Sequence, residues 1–186
     1  LKFSSENVRS DWFVATFFGS LHNSSYLSQA IFRLQTLCLK IRKKLLIVSV
    51  GHSHQVNTIF DSLDLTLPIF GKPHFLIKGP MDQSEISRWL GYADCGLSTT
   101  PINIIEKSSS AAAFIDHGVP VVVLDQGSDV HGIDTKRVDH GNKFILYTDL
   151  SEACFPSFPF KFDALPLRTT VTRKFLNDLS LNRRNK

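Results

Sequence analysis

Short blocks of continuous hydrophobicity alternate along this chain with longer stretches in which apolar residues recur every three or four positions. The short blocks are Trp12–Phe18, Leu45–Val50, His74–Lys78, Asp94–Ser98, Val121–Leu124 and Lys143–Tyr147. Their length and their β-branched or aromatic content predict strands, the most apolar of them buried. Tyr26–Lys40 carries Leu27, Ile31, Leu34, Leu37 and Cys38 at helical spacing, and Gln55–Leu63 carries Val56, Ile59, Phe60 and Leu63. A third helix, ending at Leu90, turns Ile86, Trp89 and Leu90 to one side. Ser24 or Ser25 is placed to cap the first helix, and Asp82 or Ser84 the third. Pro68 and Pro73 argue against a helix over Leu65–Phe70, which reads as loop or edge structure.

The stretch Thr99–Leu124 organises the rest. After a loop over Pro101–Ile105, the residues Glu106, Lys107 and Ser108–Ser110 open a helix that reaches Asp116. Gly118 ends it, and Pro120 leads into the next strand. Beyond Leu124, the polar stretch Asp125–Asn142 has no periodicity and predicts a long functional or mobile loop. Ser151–Pro166, with three prolines and four phenylalanines, reads as an irregular packed wrap, and Thr169–Leu181 as a terminal helix. Residues 1–11 read as a leading linker and 12–186 as a single domain. Repeated strand–helix alternation implies an α/β fold of Rossmann-like type, an open parallel sheet with helices on both faces. The strand ends meet Gly19, Gly51, Gly79 and Ser98, so small residues gather at the rim where open α/β sheets bind ligands.

Composition adds bounds. A chain of 186 residues, 42% of them hydrophobic, suits one soluble domain with a real core. No apolar run approaches the ~20 residues of a membrane helix, and the start of the chain lacks a cleavable-signal pattern. Cys38, Cys95 and Cys154 are odd in number and scattered, which favours reduced thiols and a cytoplasmic setting over disulfides or a zinc site. The net charge of +4 suits an anionic ligand or an anionic membrane surface nearby. The basic clusters Arg42–Lys44 and Arg183–Lys186 read as a solvated helix end and a frayed terminus, so nucleic acid is not an expected partner.

Gly19 and Ser20 fit either a close backbone approach to a ligand or an ordinary tight turn. Neither the dinucleotide nor the P-loop glycine fingerprint is present. His52 and His54 lack an evident third ligand, which favours exposed loop histidines over a metal, and no metal is expected. His117 precedes Gly118 and suits a helix C-terminus. Glu106–Ser110 fits two readings equally. A carboxylate, a lysine, hydroxyls and free N–H groups at a helix start can hold a sugar and a diphosphate, and the same residues suit plain capping.

Taken together, these residues resemble the C-terminal half of GT-B glycosyltransferases of group-1 type. Phe17-Phe18-Gly19-Ser20-Leu21 resembles the opening of that half, and Leu45–Gly51 its second strand. Ile77–Gly79 with Glu85–Ser98, ending in YADCGLS, and Glu106–Val122, EKSSSAAAFIDHGVPVV, are similar to two of its more specific blocks. The resemblance spans Phe13–Leu124. It implies a domain that binds a nucleoside-diphosphate sugar, with no further cofactor, and works with an N-terminal acceptor domain of the same protein. It also implies transfer in the cleft between the two domains, with peripheral membrane association conceivable for the whole enzyme. By that resemblance Gly79, Pro80 and Met81 lie beside the base, and Glu106, the expected catalytic residue, contacts the donor sugar. Lys107, Ser108 and Ser109 approach the diphosphate, Gly19 lets the phosphates close, and Ser20 and Gly51 line the same rim.

The chain departs from the pattern at three places. The second acid expected eight residues after Glu106 is Phe114, and the cations expected after Gly19 are replaced by Ser20 and by Ser25 or Tyr26. A second Rossmann-like half is not in this sequence, so the domain alone is expected to be inactive. A degenerate GT-B domain acting as scaffold or regulator stays open, as does a nucleotide-sugar epimerase, although the serine-glycine and acidic block typical of the latter is missing.

Overall fold

In a computed structural model describing residues 11–22, 26–68, 71–124 and 143–151, six strands form one sheet. They are β1 (Trp12–Phe18), β2 (Lys44–Val50), β3 (His74–Gly79), β4 (Cys95–Ser98), β5 (Val121–Val123) and β6 (Phe144–Leu146). All neighbouring pairs are parallel and the order is β3-β2-β1-β4-β5-β6. The helices are α1 (Leu27–Lys40), α2 (Val56–Thr66), α3 (Gln83–Tyr92) and α4 (Ser109–Asp116). The expected α/β architecture is therefore present.

Side chains alternate between the two faces of the strands, and both faces are covered. Phe13, Ala15 and Phe17 of β1 join Leu45 and Ile47 of β2 under α1 and α2. On the opposite face Val14, Leu46, Val48 and Val50 meet Ile86 and Trp89 of α3, while Val121 and Val123 pack with Phe114 and Ile115 of α4. The chain moves outward from β1 to β3, then returns to the centre and builds β4 and β5 on the other side. Crossovers of one hand put the helices on opposite faces when the direction reverses, and that reversal leaves a crevice between the ends of β1 and β4.

Element boundaries differ from the expectations for identifiable reasons. Helix α2 continues to Thr66 rather than stopping at Leu63, because Pro68 acts only on the residue before it; Leu67 is extended at φ −82°, ψ 147°. Helix α3 continues past Leu90 to Tyr92. Asp82, not Ser84, caps it, accepting from the Glu85 amide at 2.9 Å, and the Ser84 hydroxyl donates to the same carboxylate at 2.7 Å. Helix α1 ends in a two-bond turn, Arg42 N–H to Leu39 carbonyl at 3.0 Å and Lys43 N–H to Cys38 carbonyl at 2.9 Å. That turn holds Arg42 in the left-handed region at φ 58°.

Arg33 of α1 reaches across to the far end of the sheet. Its Nε and Nη2 donate to the Leu150 carbonyl at 2.9 and 2.6 Å. The expectations for Ser24, Ser25, Cys154, residues 1–10 and 125–142, the wrap beyond Ser151, and the terminal helix lie outside the described residues. No described helix is long and apolar enough to cross a membrane.

Candidate functional site

Three glycines shape the rim. Gly19, Gly51 and Gly79 have φ values of 80°, 90° and 66°. The Gly19 amide donates to the Val50 carbonyl at 3.0 Å, and the Gly51 amide to the Gly79 carbonyl at 3.0 Å. The three strand ends are thus laced together while the chain turns away from the sheet. A methyl on Gly19 would stand 3.2 Å from the Ser110 hydroxyl, and one on Gly51 would stand 3.5 Å from the Gly19 nitrogen. These positions need glycine for their backbone conformation, and at Gly19 the approach to Ser110 is close as well. The Leu21 amide donates to Ser53 Oγ at 3.3 Å, joining the loop after β1 to the loop after β2. Ser20 is exposed beside Gly19. Pro80 is exposed beyond Gly79, and Met81 folds back onto the cluster of Val14, Leu46 and Val48.

The segment entering α4 is built differently from the expectation. Pro101–Ile105 is not an open loop: Ile102–Lys107 forms a 3₁₀ helix, with the Ile104 amide bonded to the Pro101 carbonyl at 3.1 Å. Glu106 and Lys107 end that turn and do not open the α-helix. The break falls at Ser108, which is extended at φ −78°, ψ 115° and caps α4 by accepting from the Ala111 amide at 3.3 Å. A serine at this position competes for the backbone N–H and so ends one helix and begins another. Glu106, Lys107 and Ser109 are exposed. The serine that meets Gly19 is Ser110, the last residue of the Glu106–Ser110 run that the sequence marks and one position beyond the serines that the resemblance selects.

The YADCGLS segment has a structural explanation residue by residue. Ala93 is buried, and the Asp94 carboxylate accepts from the Val14 amide at 2.8 Å while its own amide donates to the Val14 carbonyl at 2.8 Å. That exchange closes the lower end of the β1–β4 pair. Cys95 and Cys38 are buried on the α1 side. Burial, and secondarily the nearby Asp94, pushes both thiols well above their ordinary range. Gly96 lies directly beneath Phe114: a methyl there would stand 2.4 Å from the ring. The Ser98 hydroxyl accepts from the Thr100 amide at 3.1 Å.

Phe114, at the place where the family resemblance expects an acid, is 1% exposed and belongs to the core on the α4 side of the sheet. Its side chain is committed to packing and does not reach the rim.

The histidines separate into two kinds. His117 sits at the C-cap of α4, where Nδ1 donates to the Ala113 carbonyl at 2.7 Å and Nε2 lies 2.8 Å from the Ser87 hydroxyl of α3. A carbonyl only accepts, so Nδ1 carries a proton and the ring ties the two helices together. His52 and His54 are exposed in the loop after β2, with their Nε2 atoms 3.0 Å apart. No group of three or more His, Cys, Asp or Glu residues suited to a metal occurs among the described residues.

No protein-family model matches the chain, and no curated protein matches it by sequence. Solved structures similar to it include the catalytic domain of cholesterol-alpha-glucosyltransferase from Helicobacter pylori, at 11% identity and a TM-score of 0.42, over 60% of this chain and 65% of that one. WaaG, a glycosyltransferase involved in lipopolysaccharide biosynthesis, is similar at 19% identity and a TM-score of 0.43, over 62% of this chain and 29% of that one. The chain spans less than two thirds of the length of either structure.

Proposed function

We propose that this chain is the donor-binding half of a GT-B glycosyltransferase and holds a nucleoside-diphosphate sugar at the rim between β1 and β4. The observation that carries the reading is the approach of Gly19 to the Ser110 hydroxyl, 3.2 Å from where a side chain would begin. It brings the loop after β1 and the first turn of α4 to one crevice at the point where the strand order reverses. Backbone N–H groups of that turn and the Ser110 hydroxyl suit phosphate oxygens. Exposed Lys107 supplies positive charge, and Glu106 at the end of the 3₁₀ turn suits a sugar hydroxyl. The acceptor and the remaining chemistry belong to an N-terminal domain of the same protein.

Calorimetric titration of UDP, GDP and ADP, free and as their sugar conjugates, tests this reading. One nucleotide should bind below the millimolar range, and Gly19→Ala should weaken it because the methyl crowds Ser110. Glu106→Gln should weaken the sugar conjugate but leave the free nucleoside diphosphate unchanged. If none of the six ligands saturates the protein below millimolar concentration, the proposal fails.

A second reading, a GT-B domain that has lost catalysis and serves as scaffold or regulator, is favoured by the burial of Phe114 where an acid would contact ribose. Sugar transfer by the whole protein from a nucleotide-sugar donor would refute it.

A further inference from the structure

The loop after β2 carries a second arrangement that the donor site does not use. His52 and His54 Nε2 lie 3.0 Å apart, closer than the ring centroids at 4.2 Å, and the ring planes stand at 88°. The two Nε2 atoms thus lie on the near sides of the two rings. Two imidazole nitrogens at about 2.0–2.1 Å from one metal ion are separated by about 2.9 Å at a right angle and about 3.3 Å at the tetrahedral angle. The observed separation lies between those values.

The backbone around the pair is held without involving either ring. On one side the Gly51 amide donates to the Gly79 carbonyl at 3.0 Å. Between the two histidines, Ser53 takes the Leu21 amide at 3.3 Å. On the other side Val56 is buried at the start of α2. The loop is anchored at three points while the two rings stay in solvent, where a metal ion can keep water in its open positions.

We propose that His52 and His54 form a two-ligand site for a divalent transition-metal ion of the zinc, copper or nickel class, bound through both Nε2 atoms. Imidazole suits these ions. No group of three or more His, Cys, Asp or Glu suited to a metal occurs among the described residues, and the site proposed here is a two-ligand one with water completing the coordination. In the metal-free protein the same approach is an N–H···N contact with one ring donating. Metal binding requires Nε2 of both rings to be unprotonated and displaces that proton. This proposal does not depend on the donor-site reading.

The test is titration of the untagged protein with Zn²⁺ by calorimetry and with Cu²⁺ by electron paramagnetic resonance. One ion should bind per chain, with nitrogen coupling in the copper spectrum and an affinity that falls as pH is lowered. His52→Ala and His54→Ala should each weaken binding at least about tenfold. His74→Ala, at the start of β3 and the opposite end of the sheet, should leave it unchanged. Circular dichroism of each variant checks that the fold is kept. Retention of wild-type affinity by either rim variant, or no saturable binding below millimolar ion, would overturn the proposal and leave a ring-to-ring hydrogen bond.

Discussion

A single methyl on Gly96 should destabilise this protein more than most surface substitutions do, through contact with one residue. The added carbon would stand 2.4 Å from Cδ2 and 2.5 Å from Cγ of Phe114, whereas carbon atoms in contact rest about 3.5–4.0 Å apart. Neither partner is free to retreat. Gly96 lies in a central strand between Thr16 and Val121, and its amide donates to the Pro120 carbonyl at 2.8 Å. Phe114 is 1% exposed and enclosed by the core beneath α4. Relief requires a shift of more than 1 Å in the ring or the helix, which puts Gly96→Ala at the upper end of overpacking costs, about 3 kcal/mol. Phe114→Ala should cost about 3–5 kcal/mol through the cavity it leaves. Combined, the new methyl occupies part of that cavity and the clash is gone. The double variant should therefore be more stable than the sum of the single losses by about 2–3 kcal/mol, within the range seen for residues in contact. Urea denaturation of the four proteins measures the cycle. A Gly96→Ala cost below about 0.5 kcal/mol, or strictly additive losses, would show that Phe114 does not rest on Gly96. The same packing predicts that Phe114→Glu unfolds the domain instead of creating a ribose contact, because it buries an unpaired carboxylate.

Three further outcomes follow from local structure. Arg42→Gly should stabilise the protein by an amount on the order of 0.5–1 kcal/mol, since glycine relieves the left-handed backbone but adds unfolded-state entropy; thermal or urea unfolding reads it. The Asp82 carboxyl is held below its ordinary value of 3.8 by the Glu85 amide first and the Ser84 hydroxyl second. Its cap therefore stabilises fully above that value and is lost as pH falls through the lower folded value, so Asp82→Asn should flatten the stability–pH curve below about pH 4. In a Cys154→Ser background, Cys38 and Cys95 should resist a thiol reagent at pH 8 in the native state and react together on unfolding, because burial keeps both neutral; early reaction of either would contradict the burial.

The resemblance points to the segment that opens α4, and the structure starts that helix at Ser109, later than the expected opening at Glu106. The resemblance selected Lys107, Ser108 and Ser109, whereas the contact with Gly19 is made by Ser110. A resemblance transfers positions along the chain. Which hydroxyl faces β1 depends on where the helix begins, and that is decided by the extended backbone of Ser108. The two histidines show the same limit. Their spacing in the chain says little, and it is the path of the loop after β2 that brings the two Nε2 atoms within 3.0 Å.

Hydrophobic period and punctuation by glycine and proline were enough to place all six described strands to within a residue at each end, and the four described helices. These signals are local, since each reports which side of a short segment avoids water. They also located the rim, because a strand that must turn sharply at its end needs glycine at Gly19, Gly51 and Gly79. The order of the strands, the burial of Phe114 over Gly96, the closure of the sheet by Asp94 and the pairing of Gly19 with Ser110 were decided only in three dimensions. Each joins residues far apart in the chain. Their energies come from packing and hydrogen bonds that exist only once both faces of the sheet are covered.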